Sequence, residues 1–224
     1  LNTANTVSIT YNNGNGQING ALRILITLTL IALAPTIIIM MTSFTRIIIV
    51  LHFTRSALNT QTAPPNQILI GLALILTFFI MEPTITRINE EAIQPFEEGT
   101  IDQSEALEKG MAPLREFMYP QTQVKDVKLF MDIAGLEWDG TLDDIPNSVL
   151  VPSFMISELR TAFWIGFMIY IPFIVIDMVV ASTLMSMGMM MLPPTTISMP
   201  FKILLFVLAD GWALIIGQLV QTFY

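Results

Sequence analysis

The chain has 224 residues, 53% hydrophobic and 12% charged, with a formal net charge of −8; an average soluble domain is roughly 25% charged, so the composition is of the membrane class. With no cysteine and one histidine, it offers no disulfide framework, no thiolate metal site and no multi-histidine zinc site. Nucleic acid is not a partner, because a binder must set a basic face against phosphates and the chain has no basic run.

Residues 1–20 are uncharged, rich in Asn and Gly and poor in apolar side chains. They read as a flexible lead-in with at most a short strand at Val7 to Tyr11. A start at Leu1 is what removal of a signal peptide would leave, as would any trimming of the chain. From Leu22 to Phe53 runs an apolar segment longer than the ~20 residues a helix needs to cross a bilayer, and Pro35 and Arg46 interrupt it, so a kinked or broken helix is expected. Arg46 either faces other protein or snorkels to the membrane surface. After a loop from Thr54 to Asn66, stiffened by Pro64 and Pro65, a second apolar segment covers Gln67 to Ile80. Met81-Glu82-Pro83 closes its fully apolar part, with a kink or a helix end at Pro83.

Glu90 to Asp144 holds fourteen of the eighteen acids and four of the ten bases, a net charge of −10 against +2 for everything else. The acidity therefore belongs to a hydrophilic insert. Asp102, Ser104 and Glu105 have capping-box spacing and open a helix carrying Leu107, Met111, Leu114 and Met118 at intervals of three to four, with Gly110 and Pro113 as bending points. A second amphipathic helix carries Val124, Val127, Met131 and Ala134 and ends at Gly135. The two should dock on each other and on a neighbouring copy, having too few residues for an independent core. Asp139, Asp143 and Asp144 mark an acidic loop that lacks the alternation and closing Glu of a calcium-binding loop and reads as solvated surface.

The third apolar unit, Val149 to Met187, contains Ser157-Glu158-Leu159-Arg160, Pro172 and Asp177; the fourth, Met199 to Tyr224, contains Lys202 and Asp210. Charges so deep in apolar runs cost about 2.5 to 3.5 kcal/mol each on insertion scales, so Arg46, Asp177, Asp210 and Lys202 are expected to be buried against protein. Glu158 and Lys202 are expected to pair, within one subunit or between copies. Joining the two units is LMSMGMMMLPP, 184–194. Six of the fifteen methionines fall between Met185 and Met199. Gly188 frees the backbone, Pro193 and Pro194 stop any helix, and Met189, Met190 and Met191 cannot all face one side of a helix. This stretch, with Met185 and Met187 beside it, reads as a loop tip of flexible thioethers suited to a deformable seal; gap-filling in a helix contact is the plainer alternative. No nucleophile, base and oxyanion-hole arrangement is visible, His52 has no metal-binding companions, and there is no glycine-rich nucleotide loop, so neither enzyme activity nor a cofactor is expected.

Six stretches in order carry a family resemblance: TSFTRIIIVL (42–51), APPNQILIGLALILTFFIM (63–81), EALEKGMAPLREFM (105–118), FMISELRTAF (154–163), IDMVVASTLMSMGMMMLPP (176–194) and PFKILLFVLADGW (200–212). With them the chain closely resembles the FliP family, export-gate proteins of the bacterial flagellar type III secretion apparatus, related to the injectisome export gates. It departs from the family pattern at His52-Phe53-Thr54, at Asn59 through Thr62, at Glu82, and at Pro120, which is expected to interrupt a helix. The resemblance implies an all-α membrane-class protein with two bent apolar helical hairpins, 21–88 and 153–224, flanking a helical insert at 89–152 on the periplasmic side. It also implies a cleaved signal sequence and a homopentamer with FliQ and FliR at the inner membrane and flagellar basal body. FlhB, FlhA and the assembly factor FliO are further implied partners, and unfolded flagellar subunits the cargo. Charged residues corresponding to Glu158 and Lys202 belong to that pattern. The competing function is an ion-coupled secondary transporter with Asp177, Asp210 and Lys202 at a midplane site, which internal repeats would favour; the two hairpins share no alignable pattern. A purely structural assembly scaffold is a third reading.

Overall fold

The structure is a computed structural model that describes residues 20–138, 140–142, 144–189 and 191–224. The lead-in with its expected strand at Val7 to Tyr11, together with Asp139, Asp143 and Met190, lies outside the described residues. All regular structure among the described residues is helical. The chain divides into two units, Leu1–Ile38 and Ile39–Tyr224.

The first apolar segment is two helices, α1 (Gly20–Met40) and α2 (Phe44–Ala57). The break falls at residues 41–43 and not at Pro35, which lies inside α1. Hydroxyl chemistry accounts for it: Thr42 Oγ1 donates to the Ile39 carbonyl at 2.7 Å and accepts from the Phe44 amide at 3.4 Å, so a side chain takes over backbone partners at the junction.

In the second unit α2 is central, burying Ile47, Val50 and Leu51 against α7 and α3 and Ala57 beside Phe173 and Phe206. Helix α3 (Asn66–Ile88) passes through Met81, Glu82 and Pro83 without ending, and continues through a π-helical turn (Asn89–Ile93) into the short α4 (Gln94–Glu97). Glu82 is exposed on it.

The insert follows the capping logic of its sequence. Asp102 caps α5 (Gln103–Gln121) by accepting from the Glu105 amide at 2.8 Å, while the Glu105 carboxylate turns to Lys109 at 2.9 Å instead of closing the box. Pro120 sits in the last turn of α5 and does not interrupt it. Helix α6 (Val124–Ala134) ends at Gly135 in the left-handed region, φ 67°, with the Leu136 amide reaching back to the Met131 carbonyl. Met118, Val127 and Met131 bury as expected, but Leu107 and Val124 are exposed. The cluster they join is completed by Met41 and by Ile145, Val149, Leu150 and Phe154, so the insert packs on the start of α7.

Helix α7 (Asn147–Ser186) has 40 residues. At 1.5 Å per residue it is about 60 Å long, twice a hydrocarbon core. Its first turns belong to the insert's core and its remainder runs along α2, with Pro152 and Pro172 inside it. Helix α8 (Pro194–Leu208) begins at Pro194, earlier than Met199, because proline at the first helical position forfeits no intrahelical hydrogen bond. It bends by 65° into α9 (Gly211–Gln221). Phe206 lies against the bend, and a Cβ at Gly211 would sit 2.4 Å from its ring.

Among the described residues two stretches are long and apolar enough to cross a membrane, Asn66–Glu97 and Asn147–Ser186, and the bent pair α8–α9 makes a third if counted as one span. Much of their apolar surface, including Phe78, Phe79, Phe163, Trp164 and Phe167, is exposed.

Candidate functional site

The methionine stretch is the tip of the α7–α8 hairpin. Helix α7 stops there because Gly188 takes φ 76°, the Gly188 amide bonds to the Met185 carbonyl and the Met189 amide reaches back to the Leu184 carbonyl at 3.0 Å. Pro193, extended at ψ 114°, leads into α8. At this tip the side chains point away from the core: Met191 is 97% exposed and Met189 exposed between the two stops, and Met187, 71% exposed, and Met185 are open just before them. No described residue of the loop fills a gap between helices of its own chain.

A charge cluster fastens the limbs that carry the loop. Lys202 on α8, fully buried, donates to Asp177 Oδ2 on α7 at 2.6 Å and to the Ala57 carbonyl at the end of α2 at 3.1 Å. Ser198 donates to the other oxygen of Asp177. One carboxylate thus ties α7 to α8, and one ammonium ties both to α2.

Arg46 forms a second cluster. Its Nε donates to Glu158 Oε2 at 2.9 Å and its Nη2 to Glu158 Oε1 and, at 2.9 Å, to Gln121 Oε1. Its Nη1 donates to the Thr222 carbonyl and hydroxyl at 3.1 and 2.9 Å, and the Phe223 ring centroid lies 4.0 Å from the guanidinium carbon. Every guanidinium N–H has a partner, which allows an arginine to sit only 2% exposed between α2 and α7.

The third cluster joins the insert to α7. Arg160 donates to both oxygens of Asp126, at 2.6 and 2.8 Å, and to Gln123 at 2.8 Å, while Ser157 donates to Asp126 at 2.7 Å. The Arg160 fork holds the Asp126 carboxyl below the usual carboxylate range; burial opposes this and the Ser157 hydroxyl adds to it.

These clusters correct the expected pairing. Within the chain Glu158 does not meet Lys202, for Glu158 is taken by Arg46 and Lys202 by Asp177. The reason lies in helix geometry: Arg46 sits on the face of α2 that packs against α7, whereas Lys202 approaches further along, where Asp177 is the carboxylate within reach. A contact between Glu158 and Lys202 of neighbouring copies would require both to leave these partners. Asp210 is not buried: at the corner between α8 and α9, with φ 49°, its side chain is exposed. Asp177 is half-buried and Arg46 fully so, which settles Arg46 as protein-facing. Asp126 escaped the sequence reading. The available signal was the spacing of Glu158 and Arg160, since residues two apart point to different sides of a helix and must address different partners.

Among the described residues no group of His, Asp and Glu is placed to hold a metal ion. His52 Nδ1 lies 3.0 Å from Arg55 Nη2, and Arg55 also donates to Asn66 at 2.6 Å, an arrangement that braces the α2–α3 loop. What the chain presents is a soft apolar tip on a hairpin whose base is fixed by ion pairs.

The FliP family matches residues 27–219. The flagellar biosynthetic protein FliP of Bacillus subtilis (strain 168) is 57% identical over 207 residues, covering 92% of this chain and 94% of that protein. That of Pectobacterium carotovorum subsp. carotovorum is 51% identical over 212 residues, 95% and 82% of the two chains, and that of Aquifex aeolicus (strain VF5) is 47% identical over 212 residues, 94% and 89%. With the match extending from within α1 to within α9, and covering all the charged members of the three clusters and the methionine loop, the chain belongs to the FliP family.

Proposed function

We propose that this chain is a pore-forming subunit of the bacterial flagellar type III protein export gate, passing unfolded flagellar subunits through a channel closed at rest by the methionine loop. Family membership supports the flagellar export role. The observation that carries the gating role is the exposed tip at Met189 and Met191, held on a hairpin clamped by Asp177, Ser198 and Lys202. Flexible thioethers meeting on an axis close it by van der Waals contact, with no hydrogen bonds to break when a polypeptide enters.

In this reading five copies assemble with FliQ and FliR, with FlhB, FlhA and FliO as further partners, at the inner membrane and basal body. The segment 89–152 forms the periplasmic insert between the hairpins 21–88 and 153–224, and the chain catalyses nothing. An ion-coupled transporter is less well supported, because two of the three residues it would use, Asp177 and Lys202, are engaged with each other and with Ser198, and the third, Asp210, is exposed at the α8–α9 corner and not buried at a midplane site.

Replacing Met189, Met190 and Met191 together with alanine tests the seal. Assembled complexes should leak ions and cells should grow slowly while export is largely retained. A triple variant that assembles fully, conducts no more than the parent and exports nothing would make the loop a structural contact and place the seal in a partner.

A further inference from the structure

We propose that the methionine loop is a site of reversible sulfoxidation by peroxides, and that oxidation there hydrates and loosens the seal. The second half rests on the gate reading above; the first does not. The chain has no cysteine, so all of its oxidisable sulfur is thioether.

That sulfur falls into sharply different surroundings. Met41, Met81, Met118 and Met131 lie in the core, each no more than 3% exposed. Met185, Met187, Met189 and Met191 are all open, Met191 almost completely, and they follow one another from the last turn of α7 into the loop. Met168 and Met178 are exposed too, but singly and ten residues apart on the long apolar helix α7, and Met40 at the end of α1 is 42% exposed. In the single chain, thioethers open to a dissolved oxidant are therefore densest between 185 and 191, with the most exposed of them, Met191, in the loop itself.

The chemistry balances with hydrogen peroxide as the oxidant. A sulfur lone pair attacks one peroxide oxygen, an S–O bond forms as the O–O bond breaks, and the departing oxygen leaves as water after proton transfer. Sulfur is oxidised by two electrons and the peroxide reduced by two. The product is a polar sulfoxide, a strong hydrogen-bond acceptor with no donor, in place of an apolar group. In a ring of thioethers that offers no donors, such an acceptor is satisfied only by water, so each sulfoxide draws water into the closed contact.

The test uses the export complex purified with this chain in place and reconstituted in lipid vesicles, treated with graded hydrogen peroxide and read by peptide mass and by ion conductance. Expected is a one-oxygen mass gain in the 185–191 region at doses that leave Met41, Met81, Met118 and Met131 unmodified. Conductance should rise with it, and methionine sulfoxide reductases A and B together should reverse both changes. A variant carrying Met185→Leu, Met187→Leu, Met189→Leu, Met190→Leu and Met191→Leu should show no peroxide-induced rise over its own untreated baseline.

Loop and core methionines that oxidise at equal rates would overturn the site. Loop oxidation without a change in conductance, in a complex whose triple-alanine variant leaks, would overturn the loosening while the gate reading stands. If neither oxidation nor the triple-alanine replacement changes conductance, the gate reading fails and the loosening with it, and the sulfoxidation site is retained on its mass readout alone.

Discussion

Arg46 and Glu158, on α2 and α7, form a buried two-point ion pair in which Nε and Nη2 of one guanidinium serve the two oxygens of one carboxylate. The pair joins the elements with the most extensive mutual packing among the described residues and draws Gln121 and Thr222 to the same point. Removing one partner leaves the other charged and buried, so Arg46→Ala and Glu158→Ala should each lower stability by about 3 to 5 kcal/mol. An Arg46→Met, Glu158→Leu double variant should recover part of that loss, because two apolar side chains leave no orphan charge. Thermal unfolding of the detergent-solubilised chain measures the difference; single variants as stable as the parent would show that the pair is not what holds α2 to α7.

Lys202 and Asp177 act closer to the methionine loop, and their loss should be felt there first. Lys202→Met keeps much of the volume but leaves Asp177 with only the Ser198 hydroxyl, and it removes the donor to the Ala57 carbonyl. Backbone amides of the 184–194 stretch should then exchange hydrogen faster, while those around Arg46 on α2 change little. Equal acceleration in both regions would mean that the clamp supports the whole helical bundle and not the hairpin in particular.

Much of this architecture was legible before the structure. Apolar run lengths located the helices, Asp102 and Gly135 marked the two ends where a cap was expected, and Gly188 with Pro193 bounded the loop. Charge partners were harder, because an ion pair is a property of two surfaces. Lys202 announced that it needed a carboxylate, but whether Glu158 or Asp177 supplied it depended on how α8 packs against α7. Asp126 was hidden for another reason, sitting in an acidic insert where one more carboxylate carried no signal. Pro83 and Pro120 misled in the opposite sense, since a helix held by neighbours carries a proline that would end an isolated one, and Pro35 too lies inside a continuous helix. The true break at Thr42 and Ser43 was signalled by two adjacent hydroxyl residues in an apolar run.

The Asp126 cluster gives a pH dependence with a defined sign. The folded carboxyl titrates below its unfolded value of about 3.9, so the stabilisation it provides is fully present above that pH and is lost as pH falls through the lower folded value. Hydrogen-exchange protection of the α6 amides from Val127 to Met131 should therefore fall on acidification below about pH 4. Other carboxylates titrate in the same range, and Asp126→Asn isolates this one: the variant should be less protected at neutral pH and should lack that part of the acid-induced loss. A parent and variant with parallel curves would remove Asp126 as the linkage between the insert and α7.

Glycine at position 166 is a packing requirement on α7, not a matter of backbone freedom. A Cβ built there would lie 2.5 Å from Cγ of Phe53 and 2.9 Å from its Cβ. The conflict reaches the root of the phenylalanine, where rotation of the ring gives little relief, and Phe53 is further held edge-to-face against Phe163 with centroids 5.2 Å apart. Gly166→Ala should thus push α2 away from α7 and destabilise by about 1 to 3 kcal/mol, the usual range for overpacking, despite the better helix propensity of alanine. Gly71 on α3 is the control, since nothing lies within 4 Å of a Cβ there. Gly71→Ala should be neutral or stabilising by up to about 1 kcal/mol. Combining Gly166→Ala with Phe53→Ala should restore the helix spacing while giving up the ring contact with Phe163, so the double variant should be less destabilised than the sum of the two singles. Strict additivity, or a Gly166→Ala chain as stable as the parent, would show that α2 and α7 have slack at this crossing.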